Sequence, residues 1–280
     1  YFYKPSDISQ KMKRLPRRNF FKIAGVTGLS ALFGCPVGPT ALNLPENGCF
    51  ITIDDGPVAY DPEHNGNQGH MEDILNYVKQ FNGINGTSNR YTFFVEGRYC
   101  DPNGDDINKW GFYVCVEAVN DGHEIGNHTQ NHYNLRELQK TDPDLVKEEI
   151  LLTKDIVSQI YAASNRPNDN PNLIRFPYFA SISEKEGQRM VWTNVDKQDY
   201  TAAGDNLYNM ELVDRIKNAY IEAIQKGDIV LTHDLRNTGL SIIPAILEAG
   251  FESYAITKKV PLTSSGLINL GNNAPPHLSF

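Results

Sequence analysis

From residue 48 onward the chain alternates short unbroken apolar runs with longer stretches whose apolar residues recur every three or four positions. The run Cys49-Phe-Ile-Thr-Ile53, closed by Asp54-Asp55-Gly56-Pro57, has the pattern of a buried strand. Ile74, Leu75 and Val78 share one face of a helix predicted over 71–81. Further strands are predicted over 91–95, 122–126, 173–176, 191–195, 228–231 and 251–256. Helices are predicted over 113–121, 145–161, 184–190, 209–225 and 241–249, with Asp144 as N-cap of the second of these. Residues 58–70 read as a long loop. Strand and helix alternate about seven times, which argues for an α/β fold with a parallel sheet, barrel-like or doubly wound.

Charge divides the chain unevenly. The 280 residues hold 26 Lys and Arg against 34 Asp and Glu, a formal −8. Residues 1–34 carry seven basic groups and one acid, Asp7, so the remainder carries −14. An acidic body disfavours nucleic acid as a partner. The basic leader has Arg17-Arg18-Asn-Phe-Phe-Lys22 before a short apolar stretch over 23–33, the layout of a twin-arginine export signal. Leu32-Phe-Gly-Cys35 adds a lipobox-like step, with Cys35 as a possible lipid anchor. We therefore expect a signal over 1–34, a linker over 35–47, one catalytic domain over 48–258 and a tail over 259–280. The expected location is the periplasm or cell envelope. Cys100 and Cys115, 15 residues apart in a stretch that reads as surface, could pair in an oxidising compartment, leaving Cys49 unpaired.

The polar residues with chemical potential sit where predicted strands end, the edge at which parallel α/β barrels collect their active sites. Asp54 and Asp55 follow the first strand, and His128 and His132 follow the strand at 122–126. Arg175 closes another, Asp196 and Asp199 follow Val195, and His233 follows Leu231. His128 and His132 are spaced i, i+4, so a helix would project both imidazoles from one face. Two imidazoles with one carboxylate can hold a catalytic Zn²⁺ and leave a position open for water. Each feature alone has a plainer reading: chance spacing for the histidines, a turn for Asp54-Asp55, an ion pair for Arg175, a core histidine for His233. His123-Glu124 lacks the second histidine of H-E-x-x-H, and His123 is expected to pack beneath its strand.

Taken in order, Thr52-Ile-Asp54-Asp55-Gly-Pro57, His128-Thr-x-x-His132, Arg175-Phe-Pro177-Tyr178, Asp196-x-x-Asp199-Tyr200 and Leu231-Thr-His233 resemble the five motifs of the polysaccharide deacetylase family, the NodB-homology or family 4 carbohydrate esterases. The resemblance spans residues 48–258. It implies a distorted (β/α)₇ barrel in which Asp55, His128 and His132 hold a divalent metal, usually zinc. Asp54 would be the general base with Arg175 holding it, and His233 the general acid tuned by Asp199. The Tyr178 backbone N–H would bind the oxyanion, while Tyr200 and Leu231 would line the acetyl pocket. Phe176, Phe179 and Tyr200 stand where the family often has Pro, Gly and Trp.

The activity so implied is removal of N-acetyl groups from a sugar polymer, with N-acetylglucosamine of peptidoglycan favoured for an exported protein. O-acetyl esterase action and a non-catalytic carbohydrate-binding role are the competing readings. A glycosidase using paired carboxylates would leave the histidine pair unexplained.

Overall fold

Alternation along the first strand decides what each face of the sheet carries. In β1 (Gly48–Gly56), Cys49, Ile51 and Ile53 point outward beneath helices, whereas Phe50 points inward. Thr52 and Asp54 follow Phe50 at two-residue steps on the inner face. The computed structural model describes residues 42, 44–57, 70–180, 182–183, 185–202, 210–235 and 238–268. The leader at 1–34, Cys35, most of the 58–70 loop and the tail beyond 268 lie outside these residues.

The other strands are β2 (Thr92–Val95), β3 (Glu124–Asn127), β4 (Leu173–Ile174), β5 (Arg189–Met190), β6 (Val195–Asp196), β7 (Ile229–His233) and β8 (Glu252–Ser253). Seven of them run parallel in the order β5-β4-β3-β2-β1-β7-β6, with β8 pairing to the start of β1. No β5–β6 pairing is found among the described residues, so the sheet curls into a half-barrel. Both faces of the central strands are buried, which is why β1 and β2 read as continuous apolar runs.

Helices cover the outer face: α1 (Met71–Asn85), α2 (Asp106–Asn120), α3 (Leu135–Thr141), α4 (Pro143–Ala163), α5 (Met210–Ala223) and α6 (Ile243–Glu248). Ile74, Val78, Phe112, Val157, Ile160, Val213, Ile216 and Ile246 join Ile51, Ile53 and Phe93 in one outer core. The inner cluster of Phe50, Phe94, Leu173, Val191 and Ile229 also takes in Val260 and Ile268. The first part of the expected tail is therefore core.

Several expected elements differ. Asp142, not Asp144, caps α4, its carboxylate accepting the Leu145 N–H at 3.0 Å. Asp144 lies in the first turn, a favourable place for an acid. Helix α3, capped by Asn134, was hidden because its seven residues bury only Leu135. The helix expected over 184–190 is instead a turn leading into β5. Glu186 and Gly187 have φ of 46° and 71°, and β5 supplies the partner that the edge of β4 needs. The strand expected over 191–195 shrinks to β6, since the Trp192 N–H donates to Gly266 rather than to the sheet. The helix over 241–249 opens with a π-helical turn, Thr238–Ile242, and the strand over 251–256 retains only β8.

Cys100 and Cys115 are not surface residues. Both are fully buried free thiols in contact with each other, and Cys49 is likewise free and buried. Among the described residues no helix is long and apolar enough to cross a membrane.

Candidate active site

Register sets the two proton-carrying candidates side by side. β1 and β7 are adjacent parallel strands, and Asp54 pairs with His233 at their C-terminal ends. Arg175 follows β4 directly and reaches across the inner face. Its guanidinium donates to Asp54 Oδ1 at 2.8 Å, to Thr52 Oγ1 at 2.7 Å and to the carbonyls of Trp192 and Val191 at 3.0 and 3.3 Å. It also lies 4.5 Å over the Phe94 ring. Burial pulls the Arg175 pKa down and the Asp54 carboxylate opposes that shift. With Oδ1 engaged by Arg175, the other oxygen of Asp54, Oδ2, faces His128 Nε2 at 3.7 Å.

The neighbouring carboxylate reaches the same histidine by a backbone twist. Plain alternation would send Asp55 to the outer face, but its φ of 70° turns the chain. Asp55 Oδ1 then lies 3.2 Å from His128 Nε2 and 3.1 Å from His132 Nε2. The histidine pair does not sit on a helix. Both residues are on the loop after β3, and left-handed conformations at Thr129 (φ 71°) and His132 (φ 59°) fold that loop so that the imidazoles converge.

The donor set fits a divalent cation. One carboxylate oxygen and two imidazole nitrogens all lie within 4.8 Å of one another. Asp55 Oδ1 is buried without a hydrogen-bond partner despite two nitrogens within 3.2 Å of it, the arrangement expected when lone pairs converge on a shared cation. His128 Nδ1 lies 2.8 Å from the Arg175 carbonyl, so Nδ1 carries the proton and the Nε2 lone pair is left to bind metal. Burial would raise the Asp55 pKa. Hydrogen bonds from His128 and His132 in their protonated forms would more than offset that and hold it well below the usual carboxylate range.

On the opposite side, His233 Nδ1 lies 2.6 Å from Asp199 Oδ1, and Asp199 Oδ2 accepts the His233 backbone N–H at 2.8 Å and the Thr238 hydroxyl. Asp196 Oδ1 accepts the Gln198 N–H and so shapes the turn that delivers Asp199. The Tyr200 ring stands edge-on to His233 at 5.3 Å, and Tyr178 stands edge-on to His132 at 4.9 Å. Tyr178 is left-handed (φ 54°) and its side chain is 66% exposed, whereas Leu231 is buried. All ten expected site residues thus occupy the same edge of the sheet. His123 does not: it accepts the Tyr91 N–H at 3.0 Å from beneath the strands, and burial, aided by Arg90, pulls its pKa down to about 3.

Sequence reasoning gave no role to three members of this edge. Thr52 braces Arg175 and Thr238 braces Asp199. Glu96 is a buried acid beside the ligands, paired with Arg98 at 2.6 Å. Burial raises its pKa, opposed chiefly by His132 and Arg98. Its position directly after β2 was the available signal.

Comparison with known proteins identifies the family. A sequence profile of the polysaccharide deacetylase family matches residues 42–190. A chitooligosaccharide deacetylase of Bradyrhizobium sp. is 29% identical over 191 residues, covering 66% of this chain and 69% of that protein. A peptidoglycan-N-acetylglucosamine deacetylase of Bacillus cereus is 26% identical over 215 residues, 75% and 84% respectively. Among solved structures, the family 4 carbohydrate esterase from Streptomyces lividans in complex with acetate has a TM-score of 0.54 at 22% identity, covering 77% of this chain and 96% of that one. The chitin deacetylase of the fungus Colletotrichum lindemuthianum has a TM-score of 0.55 at 18% identity, covering 81% and 92%. At these identities the structural likeness speaks for the fold. The family itself follows from the sequence match over more than half of the chain: the protein is a hydrolase of the polysaccharide deacetylase (NodB-homology, family 4 carbohydrate esterase) family.

Proposed function

We propose that the protein removes the acetyl group from N-acetylglucosamine in peptidoglycan, with zinc as its metal, after export to the periplasm or cell envelope. The observation that carries the chemistry is the pairing of Asp54 with His233 across β1 and β7, beside the converging Asp55, His128 and His132. Two supports favour this polymer: the twin-arginine-like leader, and relatives named as peptidoglycan-N-acetylglucosamine deacetylases.

When bound, the metal would act as a Lewis acid that makes a water more acidic and polarises the acetyl carbonyl. Asp54, held by Arg175 through Oδ1, takes the proton of the attacking water on Oδ2. The Tyr178 backbone N–H donates to the developing oxyanion. His233 bonds Asp199 through Nδ1 and presents Nε2–H to the departing amine. Leu231 and Tyr200 bound the space for the acetyl methyl. Acetate leaves and the sugar retains a free amine. Acetate release from peptidoglycan, from chitin oligomers and from O-acetylated xylan tests the reading: release from O-acetyl groups alone would overturn it.

The proton donor makes a pH prediction. Burial lowers the His233 pKa, but Asp199, with Asp55 and Asp54 behind it, carries it up from 6.5 to about 9. The donor must be protonated, so kcat/KM falls as pH rises through this value. A cation beside Asp55 would cancel part of the carboxylate contribution, so the alkaline limb is expected below about 9. Asp199→Asn is expected to move that limb downward, read from the pH profile of acetate release. An unmoved limb contradicts the assignment.

A further inference from the structure

The segment joining the two metal-binding histidines is short, non-helical and conformationally unfavourable. Thr129 and His132 are both left-handed without being glycine, so something else must hold residues 129–131 in place. Two elements do so. From the end of β2, the Gly97 and Arg98 N–H groups donate to the Thr129 and Gln130 carbonyls at 3.0 Å each. A Cβ on Gly97 would lie 2.1 Å from Gln130 Oε1 and 2.3 Å from Thr153 Oγ1, so a side chain there would displace the Gln130–Thr153 contact. From helix α4, the Glu149 carbonyl accepts the Gln130 N–H at 3.0 Å, and Thr153 donates its hydroxyl to Gln130 Oε1 at 3.1 Å.

The remaining contact is of a different kind. The Glu149 side chain is 1% exposed, and both its oxygens go to one residue: Oε2 accepts the Asn131 backbone N–H at 2.8 Å and Oε1 accepts Asn131 Nδ2 at 2.6 Å. No ion pair of Glu149 is found among the described residues. A carboxylate taken into the interior without a cation is costly, and a neutral acceptor would satisfy the backbone N–H alone. What the carboxylate adds is two-point, charge-assisted hold on the residue immediately before His132, together with a negative charge behind the cation-binding loop.

We propose that Glu149 is a positioning residue for the metal site: its carboxylate fixes Asn131, hence the placement of His132 against His128 and Asp55, and thereby sets the affinity for the divalent cation. This rests on those three residues forming the metal site. It adds a residue of α4, outside the five motifs and without contact to metal or substrate, to the determinants of metal binding.

The test is titration of Co²⁺ and Zn²⁺ into the metal-stripped full chain, with the Co²⁺ d–d spectrum and the apo-protein Tm recorded alongside. E149A removes both acceptors from Asn131, and N131D leaves two carboxylates opposed. Each is expected to weaken binding by roughly 10–100-fold, the range for outer partners of metal ligands, and to alter the cobalt spectrum. In the double variant E149Q/N131D the introduced amide accepts the residue-131 N–H and donates to the introduced carboxylate. Affinity and spectrum are then expected to return toward wild type. Wild-type affinity in E149A, or an E149Q/N131D chain whose apo Tm recovers while its affinity does not, overturns the proposal. Failure of the wild-type chain to bind any cation would instead sink the metal-site reading itself.

Discussion

Asp54→Asn is expected to lower kcat for acetate release on the order of 10²–10⁴-fold, the range for a general base, while the chain keeps its metal. Arg175 donates to Oδ1 of Asp54, so Oδ2 is the oxygen left to accept a proton. An amide preserves the acceptor that Arg175 needs but cannot take up the proton. Some stability is lost as well, because Arg175 is 1% exposed and the substitution removes the carboxylate that pairs with it at 2.8 Å. The guanidinium still has Thr52 and the carbonyls of Val191 and Trp192, so the chain is expected to fold with a lowered Tm. Activity and metal content measured well below that Tm separate the two effects. Wild-type turnover in Asp54→Asn would remove Asp54 from the chemistry.

His128→Ala is expected to abolish both metal binding and activity. His128 is buried and its orientation is fixed from behind by the Arg175 carbonyl, leaving little freedom for a replacement ligand to swing in. Loss of a ligand should weaken binding beyond the roughly 10–100-fold that loss of an outer partner costs. Asp55 would then face one imidazole instead of two. Metal content after gel filtration, followed with acetate release in parallel, gives the readout. A variant that keeps one ion per chain and normal turnover would show that the ligands lie elsewhere.

The site was legible from sequence where chemistry follows strand ends. Buried parallel strands appear as apolar runs, and the polar residues that interrupt them after Ile53, Ile174 and Leu231 mark the catalytic edge. The means of convergence was less legible. Asp55, Thr129, His132 and Tyr178 reach their positions through left-handed backbone, and none is a glycine that would announce it. The histidine spacing suggested a helix for that reason, whereas the loop is held by partners distant in sequence. Short elements were lost for a related cause. β5 has two residues, too few for a period, and owes its existence to the pairing that β4 needs. The two paired-looking cysteines misled because the α2 face bearing Cys115 turns inward, a fact that composition around it did not carry.

Anomalous scattering from a crystal of the zinc-loaded protein, recorded on both sides of the zinc edge, tests the central claim most directly. The account requires a single strong peak bonded to Asp55 Oδ1, His128 Nε2 and His132 Nε2, with Asp54 adjacent but unbonded. A peak held by other residues, or none in a chain that still releases acetate, would contradict it.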